Sequence, residues 1–155
     1  MKKFSFELQT LLAIRARKED EIKLQLAEKN RQISDCNTEL IRINDELKHL
    51  QVSEKQKRKT QNSVMALRYS VAYRHKLKQD LLKTGRKIDD LNADVYKIQI
   101  LLVNATKERR AIELIKEKRF QEWKKEYDSE QQKVTDDISQ QGYIRKRLVR
   151  NDSSL

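Results

Sequence analysis

The chain contains no proline and only two glycines, Gly85 and Gly142. Average usage would supply roughly eight prolines and eleven glycines over this length. Sheets, tight hairpins and phosphate-cradling loops need positive φ or a fixed φ at defined points, and these two residue types supply it. Long helices are what remains. The opening stretch FSFELQTLLAIRARKEDEIKLQLAEKNRQI agrees, because its apolar residues return at helical spacing through Leu8, Leu12, Ile22, Leu26 and Ile33.

The 37% of apolar residues are too few and too dispersed to fill a globular core, so a thin helix–helix seam is the natural way to bury them. A formal net charge of +11 fits either an acidic partner or a solvated surface kept soluble by self-repulsion. Cys36 is the only cysteine, which excludes an internal disulfide and fits a reducing compartment. Lys2 and Lys3 ahead of Leu11-Leu12-Ala13-Ile14 faintly imitate a secretory leader, but Glu7, Gln9 and Thr10 interrupt it and Arg15 follows at once. The apolar run Ile100-Leu101-Leu102-Val103 is far short of the ~20 residues a membrane span needs. A soluble, cytosolic protein is expected.

With Leu8 at heptad position d, the d series reads Leu8, Arg15, Ile22, Lys29, Cys36, Ile43 and Leu50, and the a series Leu12, Glu19, Leu26, Ile33, Leu40 and Leu47. Arg15, Glu19 and Lys29 interrupt this seam, at positions where a polar residue costs stability and can fix register. Glu19 with Lys23, Glu39 with Arg42 and Asp45 with Lys48 are spaced to support the helix from its flanks. Ser5 is placed to cap it, with Glu7 in the first turn.

Apolar residues vanish over residues 53–63, SEKQKRKTQNS. A short stripe follows, Val64, Leu67, Val71, Leu77 and Leu81, with Tyr69 and Tyr73 beside it; Gly85 then offers a helix C-cap or kink. The three–four rhythm returns at Ile88 and runs through Leu91, Val95, Ile98, Leu102 and Ala105. It slips near Glu108, resumes at Ile112, Ile115, Arg119, Trp123, Tyr127, Val134 and Ile138, and fades around Gly142. The tail is basic, then polar, and is expected to fray.

The expected fold is therefore all-α, a long antiparallel two-helix coiled coil with a short helical connector at the turn. Residues 4–57 form the first helix, 60–86 the connector, 88–141 the second helix and 142–155 the tail, with both termini at the end opposite the turn. Periodicity leaves two other arrangements open: a turn within 55–62 followed by a longer, overhanging second helix, and parallel homodimers of each helix. The seam is expected to hold Leu26, Ile33, Leu40, Ile43, Leu47 and Leu50 from one helix. Leu91, Val95, Ile98, Leu102, Ile112 and Trp123 come from the other.

Chemistry-bearing motifs are sparse. Gly85-Arg86-Lys87 lacks the rest of a nucleotide loop, and His49 and His75 have no ligand spacing between them. Carboxylates lie on solvated helices without a pocket to shift their pKa values. No catalytic residue, metal, cofactor or small-molecule ligand is expected. The basic runs KQKRK, RHKLK, KERR and RKRLVR could touch phosphates, but they are spread along the chain without stacking aromatics or a reading helix, so nucleic acid is the weaker alternative partner. Tyr69 and Tyr73 beside Leu77 and Leu81 fit an exposed partner patch or packing of that stretch on the rod. Phe4 and Phe6, ahead of the periodic run, fit partner contacts or an end cap.

The pattern F-x-F-x-L-Q-x-x-L-x-x-R-x-x-x-E-D-E from Phe4 to Glu21, followed by Leu26-Ala27-Glu28 and by the late AIELIKEKRFQEWKKEYDSEQ, resembles the flagellar export-apparatus FliJ family. The resemblance implies a coiled-coil stalk that inserts in the hexameric ring of the flagellar export ATPase, touches the cytoplasmic domain of the export gate and helps recycle export chaperones. It would sit in the cytoplasm, peripheral to the inner membrane. On this basis Phe4, Phe6, Leu8 and Leu12, with Arg145 and Arg147 of the basic segment, would enter the ring. The central region with Tyr69, Tyr73, Leu77 and Leu81 would reach the gate. The stalks of virulence secretion systems share this plan, so the flagellar assignment rests mainly on the opening motif.

Overall fold

A computed structural model describes residues 3–60 and 63–152, with side chains in the second stretch described through residue 147. The ends of the expected tail, residues 153–155, and two residues of the apolar-free stretch, Gln61 and Asn62, lie outside the described residues. Two helices make up nearly all of the rest: α1, Gln9–Thr60, and α2, Val64–Asp152. The described residues contain no strand and no backbone with positive φ, as the scarcity of glycine and proline requires.

The start of α1 differs from expectation. Ser5 is not its cap: residues 3–6 are non-helical, the Gln9 N–H donates to the Phe6 carbonyl at 3.0 Å, and the Leu12 N–H donates to the Leu8 carbonyl at 2.9 Å. Glu7 accordingly precedes the helix, and the first turn has no acid. Phe6, whose carbonyl accepts from Gln9, is buried against Lys116 of α2.

The other end of α1 closes with Lys57, Arg58 and Lys59, cations placed favourably against the helix dipole. Ser63 then starts α2: its hydroxyl accepts from the Ala66 N–H at 3.4 Å and its carbonyl from the Leu67 N–H at 3.3 Å. α1 ends at Thr60 and α2 begins at Val64, so residues 64–86 are the opening turns of α2 rather than a separate connector. Gly85 lies inside that helix without positive φ, so it is not a C-cap, and Gly142 does not end the helix either. Of the topologies left open by periodicity, the one with an early turn and a longer second helix is observed.

The chain divides into two compact units, Arg17–Thr106 and Met1–Ala16 with Lys107–Leu155. In the first, Lys29 meets Asp94, Glu46 meets Tyr73 and Glu54 meets Arg74; rising numbers in α1 meet falling numbers in α2, so the segments are antiparallel. Ile22, Cys36, Ile43, Leu77, Leu91 and Ala105 are its buried apolar residues. Leu26, Ile33, Leu40, Leu47, Leu50, Val95, Ile98 and Leu102 lie half-buried along the same three–four rhythm. Cys36 is a free, buried thiol among them.

The second unit is antiparallel too, with Glu7 near Arg119, Gln9 against Lys116 and Arg15 against Glu108. Ile112 and Trp123 are half-buried here. The expected pairing of 4–57 with 88–141 is corrected: Phe4 packs on Phe120 and Trp123, and every residue from 124 to 147 is exposed. The cause is length. A chain that reverses after Thr60 has 52 helical residues on one side and 89 on the other, so α1 runs out while α2 continues.

Candidate interaction surfaces

The polar interruptions of the heptad series find partners. Lys29 Nζ lies 2.9 Å from Asp94 Oδ2, and Arg15 pairs with Glu108. Glu19 is buried with its carboxylate 2.8 Å from Lys23 Nζ. Among the flanking pairs, Glu39 forms its ion pair with Arg42, which also reaches Glu46. The hydrogen bond from Arg42 holds the Glu39 carboxyl below the usual carboxylate range, and the bond from Lys29 does the same for Asp94. Arg109, with Arg110 beside it, lowers Glu113 likewise.

The N-terminal aromatic residues form an end cap. The Phe4 ring stands edge-on to Phe120 at 5.3 Å and lies 5.9 Å from Trp123, which stacks in turn on Tyr127 at 5.3 Å. Phe6 is buried beneath Lys116 and Arg119, each 6.0 Å from its ring centroid. Leu8 and Leu12 are half-buried. The surface expected to join these four to Arg145 and Arg147 does not assemble. Both arginines are exposed on the uncovered part of α2, roughly 35 Å along the helix from the residues Phe4 touches.

The four residues expected to make one patch near the turn also part. Tyr69 is 77% exposed, whereas Tyr73 donates its hydroxyl to Glu46 Oε2 at 2.8 Å, Leu77 is buried and Leu81 half-buried. A four-residue step rotates about 40° around a helix, so the ladder 69, 73, 77, 81 winds from the outer face into the seam. The bond to Glu46 raises the Tyr73 pKa above its ordinary value.

Three features escaped the sequence reading. Val64, Met65 and Val71 are exposed beside Tyr69. Glu54 is buried on Arg74, leaving Glu54 Oε1 and Arg74 Nε without hydrogen-bond partners. Val134, Ile138, Tyr143 and Ile144 are exposed on the uncovered helix. The Asn62-Ser63 pair ahead of an apolar run was an available signal for the start of α2.

Among the described residues, no group of His, Cys, Asp and Glu side chains could hold a metal ion. No helix among them is long and apolar enough to cross a membrane. The arrangement offers exposed helical faces, an aromatic end cap and an uncovered stretch of α2.

Searches of curated proteins and of solved structures found no match to this chain. A family model described as Flagellar FliJ protein matches residues 4–148, nearly the whole length, in agreement with the opening motif and the two-helix architecture. The chain belongs to the FliJ family and is a flagellar export-related stalk protein, in a family of structural proteins rather than enzymes.

Proposed function

We propose that the chain is the non-enzymatic stalk of a flagellar type III export apparatus. It inserts in the export ATPase ring, reaches the cytoplasmic domain of the export gate and meets export chaperones, on the cytoplasmic side of the inner membrane. Beyond family membership, the observation that carries this reading is the uncovered stretch of α2, where residues 124–147 stand exposed with Val134 and Ile138 at helical spacing. A single helix with scattered apolar side chains suits a ring lumen, where shape and a few contacts hold it without locking rotation. Arg145 and Arg147 add charge that steers insertion. On this reading the ring-facing residues are those of the uncovered helix, and Phe4 and Phe6 act by capping the helix pair. Tyr69, with Tyr73 beside it, is the gate-facing aromatic.

The test is retention of purified ATPase and gate domain by the immobilised full-length chain. Val134→Ser with Ile138→Ser, and Arg145→Glu with Arg147→Glu, should lower ATPase capture about tenfold or more while leaving gate capture intact. Tyr69→Ala should do the reverse. Failure of the unaltered chain to retain either partner overturns the reading, as does full ATPase capture by both tail variants.

A further inference from the structure

We infer that the junction end of the helix pair is a docking surface for an anionic lipid bilayer. Between Glu54 and Asp80 the sequence holds eight lysines and arginines and no acid. Only Arg74 among them is engaged in the ion pair with Glu54. Lys57, Arg58 and Lys59, the last turn of α1, are exposed, and so is Arg68 four residues into α2. An unopposed positive field of this kind attracts a surface rich in negative charge.

The same end exposes apolar side chains. Val64 is 64% exposed, Met65 68% and Tyr69 77%, with Val71 close behind. On the side of α2 turned away from the seam, Val64, Arg68, Val71 and His75 lie along one exposed face, whereas Leu77 and Arg74 point toward α1. Cations interleaved with a short apolar stripe and a tyrosine are the pattern of a helix that rests in the headgroup layer: the apolar groups enter the acyl boundary and the cations meet lipid phosphates. A nucleic acid backbone would reward the charge but gain nothing from exposed valine and methionine. This end therefore suits anionic phospholipid; the inference stands apart from the ring-insertion reading, which concerns the other part of α2, and shares only Tyr69 with the gate-facing reading, which the Lys57, Arg58 and Lys59 variants leave unaltered.

Co-sedimentation of the full-length chain with vesicles tests it. Binding is expected to vesicles of phosphatidylcholine mixed with phosphatidylglycerol, not to phosphatidylcholine alone, and should weaken as salt rises. Lys57→Glu with Arg58→Glu and Lys59→Glu should lower the partition coefficient by roughly two orders of magnitude. Val64→Ser with Met65→Ser and Tyr69→Ser should remove the binding that survives high salt. Arg31→Glu with Lys83→Glu and Lys87→Glu, three exposed cations away from the junction, serves as the charge-matched control and should leave most binding in place. Circular dichroism checks that each variant keeps its helicity, and a variant that unfolds is replaced by Lys57→Gln with Lys59→Gln. Equal binding to neutral vesicles, undiminished binding by the junction variants, equal loss in the control, or capture of a nucleic acid duplex without capture of vesicles would each overturn the inference.

Discussion

Lys29 and Asp94 meet across the helix pair, Nζ to Oδ2 at 2.9 Å, at a heptad position where an apolar residue would ordinarily sit. A cation in the seam is tolerated because its head reaches the flank and finds a carboxylate on the opposite helix. The pair adds little stability where it is exposed, but it matches only one register.

A pH dependence follows from that contact and its neighbours. Asp94, Glu39 and Glu113 have folded pKa values lowered from 3.8, 4.5 and 4.5 by hydrogen bonds from Lys29, Arg42 and Arg109. A lowered folded value gives stability that is present above the unfolded pKa and lost as pH falls through the folded one. Melting temperature should therefore hold from neutrality to about pH 5 and fall below pH 4. Exchanging the charges, Lys29→Asp with Asp94→Lys, should recover what either change alone loses. A flat acid profile would contradict the assignment.

Ile43 is the most deeply buried of the described residues, 1% exposed, and Ile41, two positions away, is 63% exposed. Ile43→Ala should cost about 2–5 kcal/mol in urea unfolding, because neighbouring side chains can only partly close the gap. Ile41→Ala should change stability by less than about 0.5 kcal/mol.

Gly85 sits within α2 without positive φ, and outside the local helix backbone no atom lies within 4 Å of where a Cβ would stand. Alanine there should stabilise by about 0.5–1 kcal/mol, by restricting the unfolded chain and favouring the helix. Lower stability on chemical denaturation would mean that the glycine serves a bend.

The Glu54–Arg74 pair is the most secluded ionic contact near the junction, with Glu54 buried and Arg74 partly exposed. Arg74→Met should destabilise by roughly 3 kcal/mol, since it strands a buried carboxylate. Joining it to Glu54→Leu should restore most of the loss. A double variant as weak as the single one would show that the pair itself stabilises the junction.

Much of this architecture was written in the residues. Missing proline, scarce glycine and a three–four rhythm dictate two long helices, because local backbone preference and apolar spacing are properties of contiguous sequence. The same spacing located Cys36, Ile43 and Leu91 on a seam. Only the tertiary structure decided which part of α2 faces α1, since a heptad repeat is satisfied by many registers and the choice falls to long-range contacts such as Lys29–Asp94 and Phe4–Trp123. It likewise decided that Phe4 and Phe6 are packed while Val64, Met65 and Tyr69 stand free: exposure depends on where the partner helix ends, and no single helix encodes that.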